Sequence, residues 1–166
     1  MHATFACHID RQPQQRTLEF AAYHGPLGGF DTAVWPCAPG GGWRNDDGRL
    51  CRLQFAPGRW LLPEPSAASE ALLDAAARAG LGTKIDASGK WEHVVIGGPG
   101  AARLLACAIE IESVLEQREC AALRLFDCPA IVARCDDGYE LWVQSSYLGD
   151  FLASANRFLA SLQRQP

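Results

Sequence analysis

The chain has 166 residues, of which 48% are hydrophobic and 20% charged, and these fractions are typical of a globular protein rather than of a disordered or fibrous one. A length of this order predicts one domain. The formal net charge of −4 opposes the attraction to phosphate that supplies most nucleic-acid affinity, so neither DNA nor RNA is expected as a partner.

Membrane-spanning and export signals are not recognisable in the sequence. No apolar run reaches the roughly 20 residues that span a bilayer, and the first residues lack the basic and then apolar pattern of a signal peptide. We therefore expect a cytosolic protein with no membrane partner. The seven cysteines include no C-x-x-C pair, so we expect reduced, mostly buried thiols. A redox sensor is an alternative that rests only on the number of cysteines.

The N-terminal third of the chain carries weak structural signals. Residues 1–16 are polar and predict a flexible arm, and residues 17–23 predict a strand. Residues 24–48 contain seven glycines and three prolines together with aromatic side chains, among them Trp35 and Trp43. These aromatics either pack on a partner or fold back over the core of the domain.

Clearer periodic patterns follow. Apolar alternation between turn signals predicts strands at 50–55, 60–62, 91–96, 122–126, 130–135 and 139–143. Capping residues and helical spacing predict helices at 66–79 and 101–108, and a last helix capped by Ser145 or Ser146 with apolar residues as far as Leu162. This order favours an α+β fold, a two-layer sandwich of ferredoxin-like type with helices on one face of a mostly antiparallel sheet.

Gly97–Gly100, between a predicted strand and a predicted helix, invites a phosphate-binding interpretation. The run has no G-x-G-x-x-G pattern and no Lys-Ser/Thr of a P-loop, so a plain entry into the helix is preferred.

Other groups that could carry chemistry are scattered. The four histidines show no metal-ligand spacing, so no metal site is expected. Cys120 could act as a thiol with His93, but a buried structural cysteine is preferred. Glu110 and Glu112, if they lie on a strand, would share one face and could act together. We therefore expect no catalytic residues in this chain.

The tryptophans are the most informative residues for function. Five of them, Trp35, Trp43, Trp60, Trp91 and Trp142, exceed what a core of this size easily encloses, and tryptophan is enriched at interface hot spots. We take Trp35, Trp43 and Trp91 as candidates for a partner interface.

Several short motifs stand in a specific order between residues 43 and 160. They are Asp47-Gly48-Arg49-Leu50, Pro57-Gly58-Arg59-Trp60-Leu61-Leu62, Asp86-Ala87-Ser88-Gly89, Ile96-Gly97-Gly98-Pro99-Gly100-Ala101, Leu104-Leu105, Cys120-Ala121 and Tyr139-Glu140-Leu141-Trp142-Val143, followed by Ser145 and Phe151. In this order and spacing the chain resembles the gamma subunit of heterotetrameric sarcosine oxidase.

The resemblance implies a fold similar to the folate-binding domain of the glycine cleavage T protein, with residues 17–166 forming one such domain. It also implies a non-catalytic small subunit of a flavin-dependent complex in sarcosine catabolism, with larger sarcosine oxidase-type subunits as partners. Flavin, NAD and folate would then be bound by those partners, and this chain would bind no cofactor.

A free-standing folate-binding protein, or one similar to an aminomethyltransferase, is the alternative. It rests on Asp46 and Asp47, which follow Gly42 in a run that weakly resembles the glycine-to-acid run of T-protein relatives, where an acid could hydrogen-bond a pterin. A turn before a strand explains the same residues and is preferred.

Overall fold

The computed structural model describes residues 5–23, 40–45 and 49–164. The strands in these ranges are β1 (His8–Arg11), β2 (Thr17–Ala22), β3 (Gly42–Arg44), β4 (Leu50–Ala56), β5 (Arg59–Pro63), β6 (Gly82–Asp86), β7 (Trp91–Gly97), β8 (Cys120–Leu125), β9 (Cys128–Cys135) and β10 (Gly138–Gln144). The α-helices are α1 (Ala67–Arg78), α2 (Ala101–Leu105), α3 (Ile111–Val114) and α4 (Leu148–Gln163).

The residues group into two compact units, one of residues 15–89 and one of residues 1–14 and 90–166. The unit of residues 15–89 contains a five-stranded antiparallel sheet in the order β3-β4-β5-β2-β6. Helix α1 lies on one face of this sheet, and its residues Leu73 and Ala76 pack against Phe20, Trp60 and Leu62. The strands β2 and β5 supply their part of this core through the alternate apolar residues Leu18, Phe20, Trp60 and Leu62.

Helix α1 forms where the capping pattern predicts it. The Ser66 hydroxyl accepts a hydrogen bond from the backbone N–H of Ser69 at 3.2 Å, which satisfies one of the unpaired donors of the first turn. Gly80, at φ +72°, follows the last turn in the left-handed conformation that glycine adopts readily.

The unit of residues 1–14 and 90–166 contains the other five-stranded antiparallel sheet, in the order β1-β7-β10-β9-β8. Alternate residues of β7, β9 and β10 point to one face, where they form a core with α2, α3 and α4. Buried members of this core include Val94, Ile96, Val132, Leu141 and Phe151.

The α+β class, with antiparallel sheet and helices packed on one face, is confirmed, and the strands divide over two sheets. Three strands lie where the sequence predicts none, namely β1, β3 and β6. All three are edge strands, and β1 falls inside the 1–16 segment predicted as an arm. Edge strands are exposed and polar, so the apolar alternation that identifies a central strand is missing from them.

The helical predictions need small corrections. Helix α2 ends at Leu105 rather than at residue 108, and Glu110 and Glu112 lie at the start of α3 rather than on a strand. The last helix begins at Leu148, after a 3₁₀ turn over Ser145–Tyr147, and no side-chain hydrogen bond caps it. Within the residues that the structure describes, no helix is long and apolar enough to cross a membrane.

Candidate functional site

The Gly97–Gly100 corner uses its backbone donors internally. Gly98 N–H donates to the Asp137 carbonyl at 2.8 Å, and Gly100 N–H donates to the Ala6 carbonyl at 2.9 Å. Helix α2 has only five residues, which leaves little helix dipole behind the corner.

The same glycines are required by the chain's own N-terminal segment. A Cβ on Gly100 would stand 2.7 Å from the Phe5 ring, and a Cβ on Gly98 would stand 2.9 Å from the Ala6 carbonyl oxygen. The space that a phosphate would need is therefore occupied by residues 5 and 6, which explains the glycine run as close backbone packing.

A polar cluster lies on the sheet face opposite the helices α2–α4. His93 on β7 and Trp142 on β10 stand directly opposite each other, and their rings stack at 5.1 Å and 3°. Glu140 Oε2 lies 3.3 Å from His93 Nε2, and the two form an ion pair only when the imidazole is protonated. Despite this short distance, neither nitrogen of His93 makes a hydrogen bond of acceptable geometry within the described residues.

Cys120 and His93 are not brought together. Cys120 lies on β8 and His93 on β7, and β10 and β9 run between them, which separates the two strands by roughly 14 Å. Among the described residues, no three histidine, cysteine or acidic side chains form a group that could hold a metal ion.

The four tryptophans that the structure describes occupy two different environments. Trp60, Trp142 and Trp91 are buried at 0%, 1% and 7% exposure, and Lys90 Nζ lies 5.0 Å from the Trp91 ring. Trp43, on the edge strand β3, is 52% exposed. Trp35, Asp46 and Asp47 lie outside the described residues. Among the described residues, three tryptophans are therefore buried, and Trp91 offers little exposed area on its own.

Exposed apolar side chains mark both edges of the sheet in residues 15–89. Trp43 stands on the edge strand β3, with the Arg52 guanidinium 4.9 Å from its ring. Ile85 stands on the opposite edge strand β6 and is 41% exposed, and Tyr23, whose hydroxyl contacts Thr83 Oγ1 on the same strand, is 60% exposed. Exposed aromatic and aliphatic residues on open sheet edges are suited to contact another protein.

The motif Asp86-Ala87-Ser88-Gly89 forms a clamp between the end of β6 and the start of β2. Asp86 Oδ1 accepts hydrogen bonds from the Ser88 hydroxyl at 2.6 Å and from the Ser88 N–H at 3.0 Å. The Ser88 hydroxyl oxygen accepts from Thr17 N–H at 3.0 Å. The two Ser88 donors, the hydroxyl first, hold the pKa of Asp86 below its usual range.

A second polar network ties α3 to the sheet. The Tyr139 hydroxyl donates to Glu112 Oε1, and Arg134 Nη1 lies 2.8 Å from Glu112 Oε2. The hydroxyl and then the guanidinium lower the pKa of Glu112. Burial, followed by the contact with Glu112, raises the pKa of Tyr139 to about 12.

Sequence reasoning did not single out a cleft beside α4, here called the α4 cleft. It has a volume of about 300 Å³. Its lining includes Cys107, Arg124, Asp127, Ser154, Arg157 and Phe158. These residues lie far apart in the chain, so no local sequence pattern connects them. In the backbone, the cleft is marked by the positive φ angles of Phe126 and Asp127.

Comparison with known proteins adds one informative likeness. A chain of heterotetrameric sarcosine oxidase from Corynebacterium sp. U-96, solved in complex with pyrrole 2-carboxylate, matches with a TM-score of 0.79, covering 99% of this chain and 89% of that one. The chain has a sarcosine oxidase subunit-like fold. The identity over the match is 17%, so the likeness concerns the fold.

The other comparisons add nothing to this. No family model matches the chain, and no curated protein matches it. A Vibrio cholerae protein of unknown function matches with a TM-score of 0.33 at 15% identity, covering 92% of this chain and 89% of that one, which is too distant for an argument.

Proposed function

We propose that this chain is a gamma-like small subunit of a sarcosine oxidase-type complex and acts by assembling with larger subunits in the cytosol. The observation that supports this proposal is the fold likeness, which extends over 99% of the chain. In this proposal flavin, NAD and folate are bound by the partner subunits, and this chain binds none of them.

The edge strand β3 is the proposed contact with the larger subunits. Trp43 is half exposed, and the Arg52 guanidinium lies over its ring. Tryptophan and arginine are the side chains that most often dominate the energy of an interface. Trp35 belongs to the same proposal, whereas Trp91 would contribute mainly by supporting the fold.

Affinity purification from the native cell tests the assembly. We expect the tagged chain to recover larger subunits that carry flavin, identified by their absorbance and by mass spectrometry of the bands. Trp43→Ala should weaken recovery about tenfold or more, because a hot-spot residue contributes about 2 kcal/mol. Tyr147→Ala is the matched control, since Tyr147 is 37% exposed and belongs to the unit of residues 1–14 and 90–166, whereas β3 belongs to the unit of residues 15–89.

Two results would contradict the proposal. A chain that elutes alone at its native concentration would reject the subunit proposal. Thermal denaturation of the isolated chain with tetrahydrofolate, flavin or NAD should give no shift, because a ligand stabilises a fold only by binding it. A rise that grows with ligand concentration would contradict the assignment of the cofactors to the partners.

A further inference from the structure

The α4 cleft is built from three separate elements of the unit that contains α4. Cys107 follows α2, Arg124 and Asp127 flank the turn between β8 and β9, and Ser154 and Arg157 project from α4. Its volume of about 300 Å³ is at the lower end of the range for small-molecule sites.

Among the described residues, two guanidinium groups of the cleft, those of Arg124 and Arg157, have no carboxylate partner. Arg124 Nη2 donates to the backbone carbonyl of Asp127, and the Arg157 guanidinium lies 5.6 Å from the ring centre of Phe158. Within the described ranges, no Asp or Glu forms an ion pair with either arginine. Both positive charges therefore remain available to an anion.

The turn that forms one wall is a two-residue hairpin loop with positive φ at both residues, which is unusual for phenylalanine. Phe126 and Asp127 have φ angles of +50° and +65°, a region that bulky residues avoid. The Phe126 ring packs against Phe158 at 5.4 Å and Phe151 at 5.8 Å, which holds the turn in place. Backbone strain that packing maintains is often found at binding sites.

We propose that the α4 cleft binds a small organic anion in which a carboxylate is attached to a planar or apolar body. The guanidiniums of Arg124 and Arg157 hold the carboxylate, since planar guanidinium groups match its two oxygens. The Ser154 hydroxyl supplies a further donor. The rings of Phe126 and Phe158, which stack within 21° of parallel, contact the body of the ligand.

Charge and composition support an anion over a cation. The lining carries two arginines and one aspartate, whereas the chain as a whole has a net charge of −4. Asp150 lies near the same turn, where it adds to the effect of burial in raising the pKa of Cys128. Asp150 is not part of the lining, so the residues that line the cleft carry one positive charge in excess, and such an excess on an acidic protein favours anions there.

Cys107 provides a built-in reporter. Its side chain is exposed in the wall of the cleft, so a bound ligand should shield it from alkylation. The rate of iodoacetamide modification of Cys107 in the full chain is measured by peptide mass spectrometry, with Cys135 as the internal reference. The probe is benzoate at about 10 mM, a level suited to the millimolar affinity expected of a small ligand. Benzyl alcohol has the ring but no carboxylate, so it tests whether the negative charge is needed. Phosphate at equal ionic strength has the charge but no ring, so it tests whether the planar body is needed.

We expect benzoate to slow the modification of Cys107 at least about fivefold, with smaller effects of benzyl alcohol and phosphate. Arg124→Gln and Arg157→Gln should each lose about tenfold or more in apparent affinity, because each removes a charge-assisted contact. Arg164→Gln is the charge-matched control, since Arg164 is exposed beyond the end of α4 and outside the lining, and it should retain binding.

The proposal would be overturned if benzoate gave no protection, if benzyl alcohol protected Cys107 as well as benzoate does, or if either cleft variant bound benzoate as tightly as the wild type. A loss in Arg164→Gln as large as in Arg157→Gln would also overturn it, since the effect would then be one of net charge. Both cleft arginines are exposed, and circular dichroism of each variant confirms that it is folded. The proposal is independent of the subunit role, because the isolated chain is tested and no partner is required.

Discussion

Replacing Ser88 by alanine tests whether the Asp86–Gly89 motif has a structural role. The Ser88 hydroxyl accepts from Thr17 N–H at 3.0 Å and donates to Asp86 Oδ1 at 2.6 Å. Thr17 is only 2% exposed, so in Ser88→Ala its amide loses this acceptor in a place that water hardly reaches. A buried donor without an acceptor costs about 1–3 kcal/mol, and we expect the free energy of unfolding to fall by about 2 kcal/mol.

The loss should depend on pH in a defined direction. The Ser88 hydroxyl is the largest cause of the lowered pKa of Asp86. A carboxyl whose pKa is lower in the folded state adds stability above its unfolded pKa, near 4, and this stability disappears as pH falls through the folded pKa. In Ser88→Ala that contribution is reduced at neutral pH. The difference in stability between wild type and variant should therefore shrink on acidification, while the part from Thr17 remains.

Urea unfolding at pH 7 and at about pH 3, with hydrogen exchange of the Thr17 amide, measures both effects. Ser161→Ala is the control, because Ser161 is exposed on α4, and it should change stability by less than about 0.5 kcal/mol. If Ser88→Ala changed the free energy of unfolding by less than about 0.5 kcal/mol and left the protection of the Thr17 amide unchanged, the clamp would be refuted. A pH-independent difference would refute the contribution of Asp86.

Two further predictions concern the unit that contains α4. Tyr139→Phe removes the first cause of the lowered pKa of Glu112, so carbon-13 NMR titration should show that pKa rising towards its ordinary value, and an unchanged pKa would contradict the network. Gly100→Ala places a Cβ 2.7 Å from the Phe5 ring and should cost about 1–3 kcal/mol, with faster hydrogen exchange in β1. Gly149→Ala is the control, because Gly149 lies in α4 with open space around it, and it should be neutral or stabilising by up to about 1 kcal/mol. Equal effects of Gly100→Ala and Gly149→Ala on stability would contradict the packing at the Gly97–Gly100 corner.

The sequence predicts the interior strands and the long helices because burial imposes a period on them. The strands β7, β9 and β10 each present alternate apolar residues to the helices, and α4 repeats its apolar residues at helical spacing. The edge strands β1, β3 and β6 follow no such rule, because their backbone pairing is directed by the neighbouring strand. The sequence pattern does not indicate which tryptophans are buried; Trp142, for example, stacks on His93 of the neighbouring strand and is 1% exposed.

The candidate sites were harder to predict than the fold. Arg124 and Arg157 meet at the α4 cleft only because the β8–β9 turn packs against α4, and no local pattern links residues that far apart. The turn between β8 and β9 is also hard to recognise in the sequence, because Phe126 has a positive φ at a position where sequence rules expect glycine, asparagine or aspartate. Conversely, the Gly97–Gly100 run looked like a ligand site, yet it contacts residues 5 and 6 of the same chain.

The motifs that carry the family resemblance have structural explanations where the structure describes them. Asp86–Gly89 is a clamp between strands, Ile96–Ala101 is a corner packed by the N-terminal segment, and Tyr139–Val143 is the body of a central strand. At these positions backbone geometry or burial restricts the residue, and each motif is explained without a ligand. The same reasoning limits what the motifs say about function. Trp43 and the arginines of the α4 cleft lie outside the described motifs, so the binding properties particular to this chain have to be tested at those residues.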